Sequence, residues 1–245
     1  MELRSNNLKQ YRISDIEIGL KSKEDGRIYR QAERYASPGG KPYQAEISLD
    51  DEFLLSMQKE NPHLSLDECE YIWTGYEFCK KLLDFDGFML HSSGIAYENK
   101  AYLFSAASGT GKSTHTEIWQ KVFGEDNAVI INDDKPAVRM VDGKFYAYGT
   151  PWSGKSDKNL NIKVPLQGIC FIERSKNNHI ERITSKEALL LIFNQTVRPP
   201  ELDIMDKLIV ILDSLLKTVP VYKLGCNMED EAAIVSYNGM KDGKV

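Results

Sequence analysis

SAASGTGKSTHTEIW, residues 105–119, decides how the chain is read. An apolar segment, AYLFSA, runs through small residues and two glycines into Lys112-Ser113-Thr114. The pattern THTEIWQKVF then reads as a helix stopped by Gly124. Strand, glycine-containing loop and helix, in that order, are the setting in which a loop binds nucleotide phosphates. Backbone amides from Ser108 to Ser113 and the positive end of the helix are expected to face the phosphates. Lys112 neutralises charge and Ser113 offers its hydroxyl to magnesium. The expected nucleotide loop is Ala106, Ala107, Ser108, Gly109, Thr110, Gly111, Lys112, Ser113 and Thr114. Its glycines permit positive φ and close approach to an anion. The general pattern GxxxxGK[ST] begins with glycine where this chain has Ala106, which an alanine tolerates if its φ is negative. A lysine in a first helical turn opposes the helix dipole unless an anion is present, so Lys112 favours a ligand over a bare turn.

Downstream, NAVIINDD reads as a buried strand ending in Asp133 and Asp134. One helix and one return strand set these two beside the loop, where magnesium and the acceptor proton need acids. PAVRMVDGKFYAYG reads as a hairpin turning at Asp142-Gly143, and VPLQGICFIER as another buried strand. KEALLLIFNQT and ELDIMDKLIVILDSLLKT are helical patterns flanking Pro199-Pro200, VPVYKL is a late strand, and MEDEAAIVSYNGM a closing helix. Upstream, FMLHSSGIAY and AYLFSA are strands joined by a tight turn at ENK.

Residues 1–50, including RIYRQAERYAS, read as short strands between turn-rich breaks. LDDEFLLSMQKE is a short helix stopped by Pro62. Ser65 with Glu68 forms a capping box opening a longer helix to about Asp86, with Ile72, Tyr76, Cys79, Leu82 and Leu83 on its apolar face. Trp73, Tyr76 and Phe78 are expected to be core, as is Trp119, with His115 on a helix face and His179 in a loop.

Composition bounds the function classes. Hydrophobic residues are 42%, charged residues 27% and net charge −5, as in an ordinary soluble globular protein. No basic block stands out to suit a nucleic-acid backbone, and no apolar run spans a bilayer. Cys69, Cys79, Cys170 and Cys226 form no CxxC pair, so reduced thiols and a cytoplasmic protein are expected.

SGTGKST, a following strand that ends in a double Asp, and His91 upstream at the start of a strand pair together resemble the catalytic domain of HPr kinase/phosphorylase. SGTGKS is also similar to phosphoenolpyruvate carboxykinase. The likeness spans about residues 88–226 and is strongest at 88–155. It implies an α/β fold with a mixed-sheet P-loop kinase core, over 88–245; residues 1–87, with strands and an amphipathic helix, do not match the family's amino-terminal domain and are expected to form an α+β portion for acceptor recognition or oligomer contact. It also implies ATP and Mg²⁺ as cofactors, with Lys112 and Ser113 as phosphate and magnesium contacts. By the same likeness Asp134 is the proton acceptor for an attacking serine hydroxyl, Asp133 its acidic, metal-binding neighbour, and His91 the active-site histidine. The family's glycine-rich segment with a magnesium-binding glutamate is replaced here by GTPWSGKSDKN, residues 149–159. Lys155 in that segment is the candidate cation for the transferring phosphate. Arg174 and Arg198 are candidates to face the site from element ends.

The expected function is an ATP-dependent phosphotransferase acting on a hydroxyl, with serine of a protein or peptide as acceptor. A small hydroxylated metabolite on the same site is the alternative acceptor. A nucleotide-binding regulatory module without turnover is the alternative class, although a pure binder needs Lys112 but no base.

Overall fold

The computed structural model describes residues 8–243. Strands β1 (Lys9–Ile13) and β2 (Ile16–Leu20) form a hairpin turning at Ser14 and Asp15, both at positive φ, and β3 (Ala45–Ile47) joins β2 in parallel. RIYRQAERYAS is not a strand: helix α1 (Arg27–Ala32) and a 3-10 turn (Glu33–Tyr35) occupy it. Ile28, Ala32 and Tyr35 recur at helical spacing and are fully buried. The Asp67 carboxylate accepts a 2.7 Å hydrogen bond from the Arg27 N–H, so the helix start is satisfied from a segment remote in sequence.

Helix α2 (Asp51–Glu60) stops before Pro62, and α3 (Leu66–Leu83) opens with the expected reciprocal box between Ser65 and Glu68. It ends before the expected Asp86, which turns the chain at φ 54°. Its buried face is Cys69, Thr74, Phe78 and Leu82, while Ile72 is exposed. Of the three aromatics expected in the core, Phe78 is fully enclosed; Trp73 and Tyr76 are half-buried.

Strands β4 (Gly87–Met89), β5 (Ser92–Tyr97), β6 (Lys100–Ser105), β7 (Val129–Asn132), β8 (Ala137–Val141), β9 (Lys144–Tyr148), β10 (Lys163–Arg174), β11 (His179–Arg182) and β12 (Val221–Cys226) form one nine-stranded mixed sheet. The long β10 joins its two parts. Its first residues pair antiparallel with β9, and its later ones lie parallel between β6 and β12. His179 opens β11 rather than lying in a loop. HIER is a mostly exposed edge strand, so it lacks the apolar alternation that marks a strand in sequence.

Helices α4 (Lys112–Phe123) and α7 (Glu231–Met240) cover one face of this sheet, α5 (Ser185–Asn194) and α6 (Leu202–Thr218) the other. Alternation along the strands divides the core accordingly. Leu103, Ile169 and Phe171 pack with Ile192, Leu208 and Leu212, while Tyr102, Phe104 and Cys170 pack with Trp119 and Ala233. A further apolar cluster joins Tyr11, Ile18, Ile28, Tyr35 and Phe78 to Met89, Ala137, Tyr148 and Trp152, so the amino-terminal portion and the β4–β8–β9 region share one core. Among the described residues no helix is long and apolar enough to cross a membrane.

Candidate functional site

Strands β6, β10 and β12 run parallel and end at the same edge, where ligands of open α/β sheets bind. The glycine-containing loop leaves β6 at Ser105 and enters α4 at Lys112. Gly109 has φ 76° and Gly111 φ 124°, whereas Ala106 is not among the residues with positive φ, so alanine is unstrained at the departure from the general pattern. Lys112 is 8% exposed, and its Nζ donates a 3.1 Å bond to the Ala106 carbonyl. An ammonium carries three donors, so this buried cation has capacity left for an anion. Burial pushes its pKa down against the opposing pull of Asp134 and Asp133.

The two aspartates follow β7 directly, in the turn after Asn132 rather than on the strand. The Asn132 side-chain oxygen accepts from the N–H groups of Asp134 and Lys135 at 2.9 and 2.7 Å, and its amide donates to the Thr150 carbonyl at 2.8 Å. Asp133 is held by two hydroxyls: Ser93 donates to one oxygen at 2.8 Å and Ser156 to the other at 2.9 Å. His91 sits just before β5. Its Nε2 lies 3.3 Å from the Asp134 carboxylate and its Nδ1 3.0 Å from Gln195 Oε1, so the ring is held from both sides. Burial raises the pKa of Asp134. The His91 hydrogen bond and the charges of Lys135, His91 and Lys112 outweigh it, so the carboxyl titrates below its ordinary range.

The opposite wall comes from a part of the chain that the sequence reading gave no site residue. Arg27, Glu68, Tyr71 and Ile72 face the loop across a cleft of about 730 Å³. The Arg27 guanidinium stacks 3.7 Å over the Tyr71 ring, and the Tyr71 hydroxyl accepts from the Gly154 N–H at 3.0 Å. Residues 149–159 fill the space between this wall and the aspartates. Trp152 stacks on Phe78 at 4.7 Å, Asn159 Oδ1 accepts from the Tyr35 hydroxyl at 2.8 Å, and Arg34 grips Asp157 at 2.9 and 3.1 Å. Exposed Ile72 lines the cleft, which is why helical periodicity misassigned it to the core.

His91, Ser108, Gly109, Gly111, Lys112, Ser113, Thr114, Asp133, Asp134 and Lys155 all line this one cleft; Ala106, Ala107 and Thr110 belong to the loop but not to the lining. Arg174 reaches the loop, donating to the carbonyls of Gly109 at 2.6 Å and Thr110 at 3.4 Å. Arg198 is exposed and lies over Phe193, outside the lining. Trp119 is core, as expected, His115 on the same helix is buried beside it, and all four cysteines are buried free thiols. Among the described residues no group of three or more His, Cys, Asp or Glu gathers as a metal site. Ser93, Gln195, Asn132 and Tyr71 carry the site's hydrogen bonds without any motif to announce them. The one available signal was Asn before Asp-Asp, a turn-forming sequence.

No protein-family model matches this chain, and no curated protein matches it. Among solved structures it is similar to the HPr(Ser) kinase/phosphatase from Coxiella burnetii, at 8% identity over 63% of this chain and 97% of that one, with a TM-score of 0.38. At that distance, any functional reading stands on the geometry of the cleft itself.

Proposed function

We propose that the chain is an ATP-dependent phosphotransferase to a hydroxyl acceptor, with serine of a protein or peptide as the acceptor. The observation that carries this is the convergence of Lys112, Asp133, Asp134 and His91 on one cleft at the mouth of a glycine loop. Bound Mg-ATP supplies the transferable phosphoryl group. The amides of the loop, the start of α4 and Lys112 hold the phosphates, while Ser113 and Asp133 hold the metal. Asp134 accepts the proton of the acceptor hydroxyl. Its low pKa makes it a weak base, which suits a loose phosphoryl transfer in which the proton moves late. His91 keeps the Asp134 carboxylate in place, and Lys155 on the far side adds a cation for charge on the transferring group. A regulatory binder has no use for a carboxylate held ionised beside a histidine, so turnover is the better reading of this cleft.

Mg-ATP at ~100 times its dissociation constant is expected to add about 2.7 kcal/mol of stability, read as a rise in melting temperature. Lys112→Ala should remove most of that rise. Asp134→Asn should keep it while losing transfer of labelled phosphate into a cell lysate separated into protein and small-molecule fractions. The fraction labelled by the wild type decides between a protein serine and a hydroxylated metabolite. Equal melting shifts in wild type and Lys112→Ala would overturn the nucleotide site, and wild-type transfer by Asp134→Asn would overturn the base.

A further inference from the structure

Gly109 and Gly111 leave the phosphate loop without packing to fix it: no heavy atom lies within 4 Å of where either Cβ would stand. The orientation of its peptide planes is then set by hydrogen bonds. Three groups of these are present. Thr110 N–H bonds the Ala107 carbonyl at 3.2 Å, Lys112 bonds the Ala106 carbonyl at 3.1 Å, and Arg174 bonds the carbonyls of Gly109 and Thr110. The Lys112 bond is the one a phosphate would replace. Arg174 stands outside the lining of the cleft, so a ligand there need not displace it.

β10 explains how Arg174 gets there. It runs parallel to β6 with Phe171 opposite Ser105, the last residue of β6, and continues past the end of β6, still paired with β12, alongside the loop. A guanidinium is a rigid planar fork, matched to two neighbouring acceptors, and here it takes two consecutive carbonyls. A trans peptide points its C=O and the next N–H in opposite directions. Holding the Thr110 carbonyl on the Arg174 side therefore turns the Gly111 N–H away from Arg174. The Gly109–Thr110 peptide is fixed at both ends, by Arg174 on its oxygen and by Ala107 on its nitrogen. Among the described residues no carboxylate within ion-pair distance neutralises Arg174, so its charge also acts on the loop.

We propose that Arg174 is the positioning residue of the phosphate loop: it holds the Gly109 and Thr110 carbonyls away from bound phosphates and orients the Gly111 N–H for them. This rests on the nucleotide reading above. A carbonyl turned into the cleft would repel a triphosphate, so the loss of Arg174 is felt in nucleotide affinity, not in the fold.

The test is calorimetric titration of Mg-ATP into wild type, Arg174→Ala and Arg174→Lys, beside melting and amide exchange at Thr110 without nucleotide. Arg174→Ala should raise the dissociation constant roughly 10- to 100-fold, the range for hydrogen bonds to a charged group. It should also speed exchange of the Thr110 N–H, which bonds the Ala107 carbonyl, and leave the nucleotide-free melting temperature near wild type. Arg174→Lys should recover affinity only in part, because a point charge cannot span both carbonyls. An Arg174→Ala affinity within about twofold of wild type, or full recovery by lysine, overturns positioning. If wild type itself fails to bind Mg-ATP, the nucleotide reading falls. The exchange measurement then stands alone, and unchanged Thr110 exchange in Arg174→Ala overturns the hold on the loop as well.

Discussion

Two buried titratable groups behave in opposite ways, and the difference is their partners. Asp134 stays ionised because His91, Lys135 and Lys112 surround it. His115 has no such company: it packs against Phe104, accepts a 3.2 Å bond from Trp119 Nε1 at its Nε2, and has no partner for its Nδ1 among the described residues. Burial pushes its pKa down to about 3. The unfolded chain takes up a proton there near pH 6.5 and the folded chain does not, so stability falls as pH drops from about 6.5 toward 3. By pH 5 the loss is about 2 kcal/mol, an order-of-magnitude figure from that linkage. Urea titrations across pH 7 to 5 should show this slope in wild type and a flatter one in His115→Gln. The lowered carboxylates Asp15, Glu17 and Asp134 lose their contribution as pH falls from the ordinary carboxylate range, about pH 4, toward their lowered values, mostly below the window of pH 7 to 5. Equal slopes in the two proteins would mean that His115 is not held neutral.

α3 closes the cleft because it can approach the 149–159 segment closely. A Cβ at Gly75 would stand 2.8 Å from Trp152 Cδ1 and 3.0 Å from its Nε1. Trp152 cannot yield: it is 1% exposed and stacked on Phe78. Helix propensity alone favours alanine over glycine by about 1 kcal/mol. Overpacking of a filled core costs typically 1–3 kcal/mol, and we expect the clash to win. Gly75→Ala should therefore lower the denaturant midpoint at unchanged m-value, against the direction propensity predicts; a stabilised Gly75→Ala would mean that α3 does not seat on Trp152 as described. The capping box of α3 was legible because Ser65–Glu68 is local. α1 was not, since its first N–H is satisfied by Asp67 and its aromatic, β-branched composition suggested a strand.

Across the whole molecule, the cluster shared by the amino-terminal sheet and Trp152 couples residues 8–87 to the surroundings of the glycine loop. Ile18→Ala empties a fully buried position there, at a cost of about 2–5 kcal/mol. We expect it to shift a single unfolding transition seen alike by tryptophan fluorescence and far-ultraviolet circular dichroism. Two transitions, with only one displaced, would show that the two portions unfold independently. The sequence alone determined the glycine loop, the strand before it, the helix after it and the acids one helix and one strand on. Each of these depends on backbone preferences within a few residues or on a short return path. Periodicity states which face of an element is buried, not what covers it. Only the tertiary structure therefore decided that α1 and α3 form the far wall, that Gln195 holds His91, and that Arg174 grips the loop from behind. Those contacts join residues remote in sequence, whose side-chain directions are fixed by packing and leave no local trace.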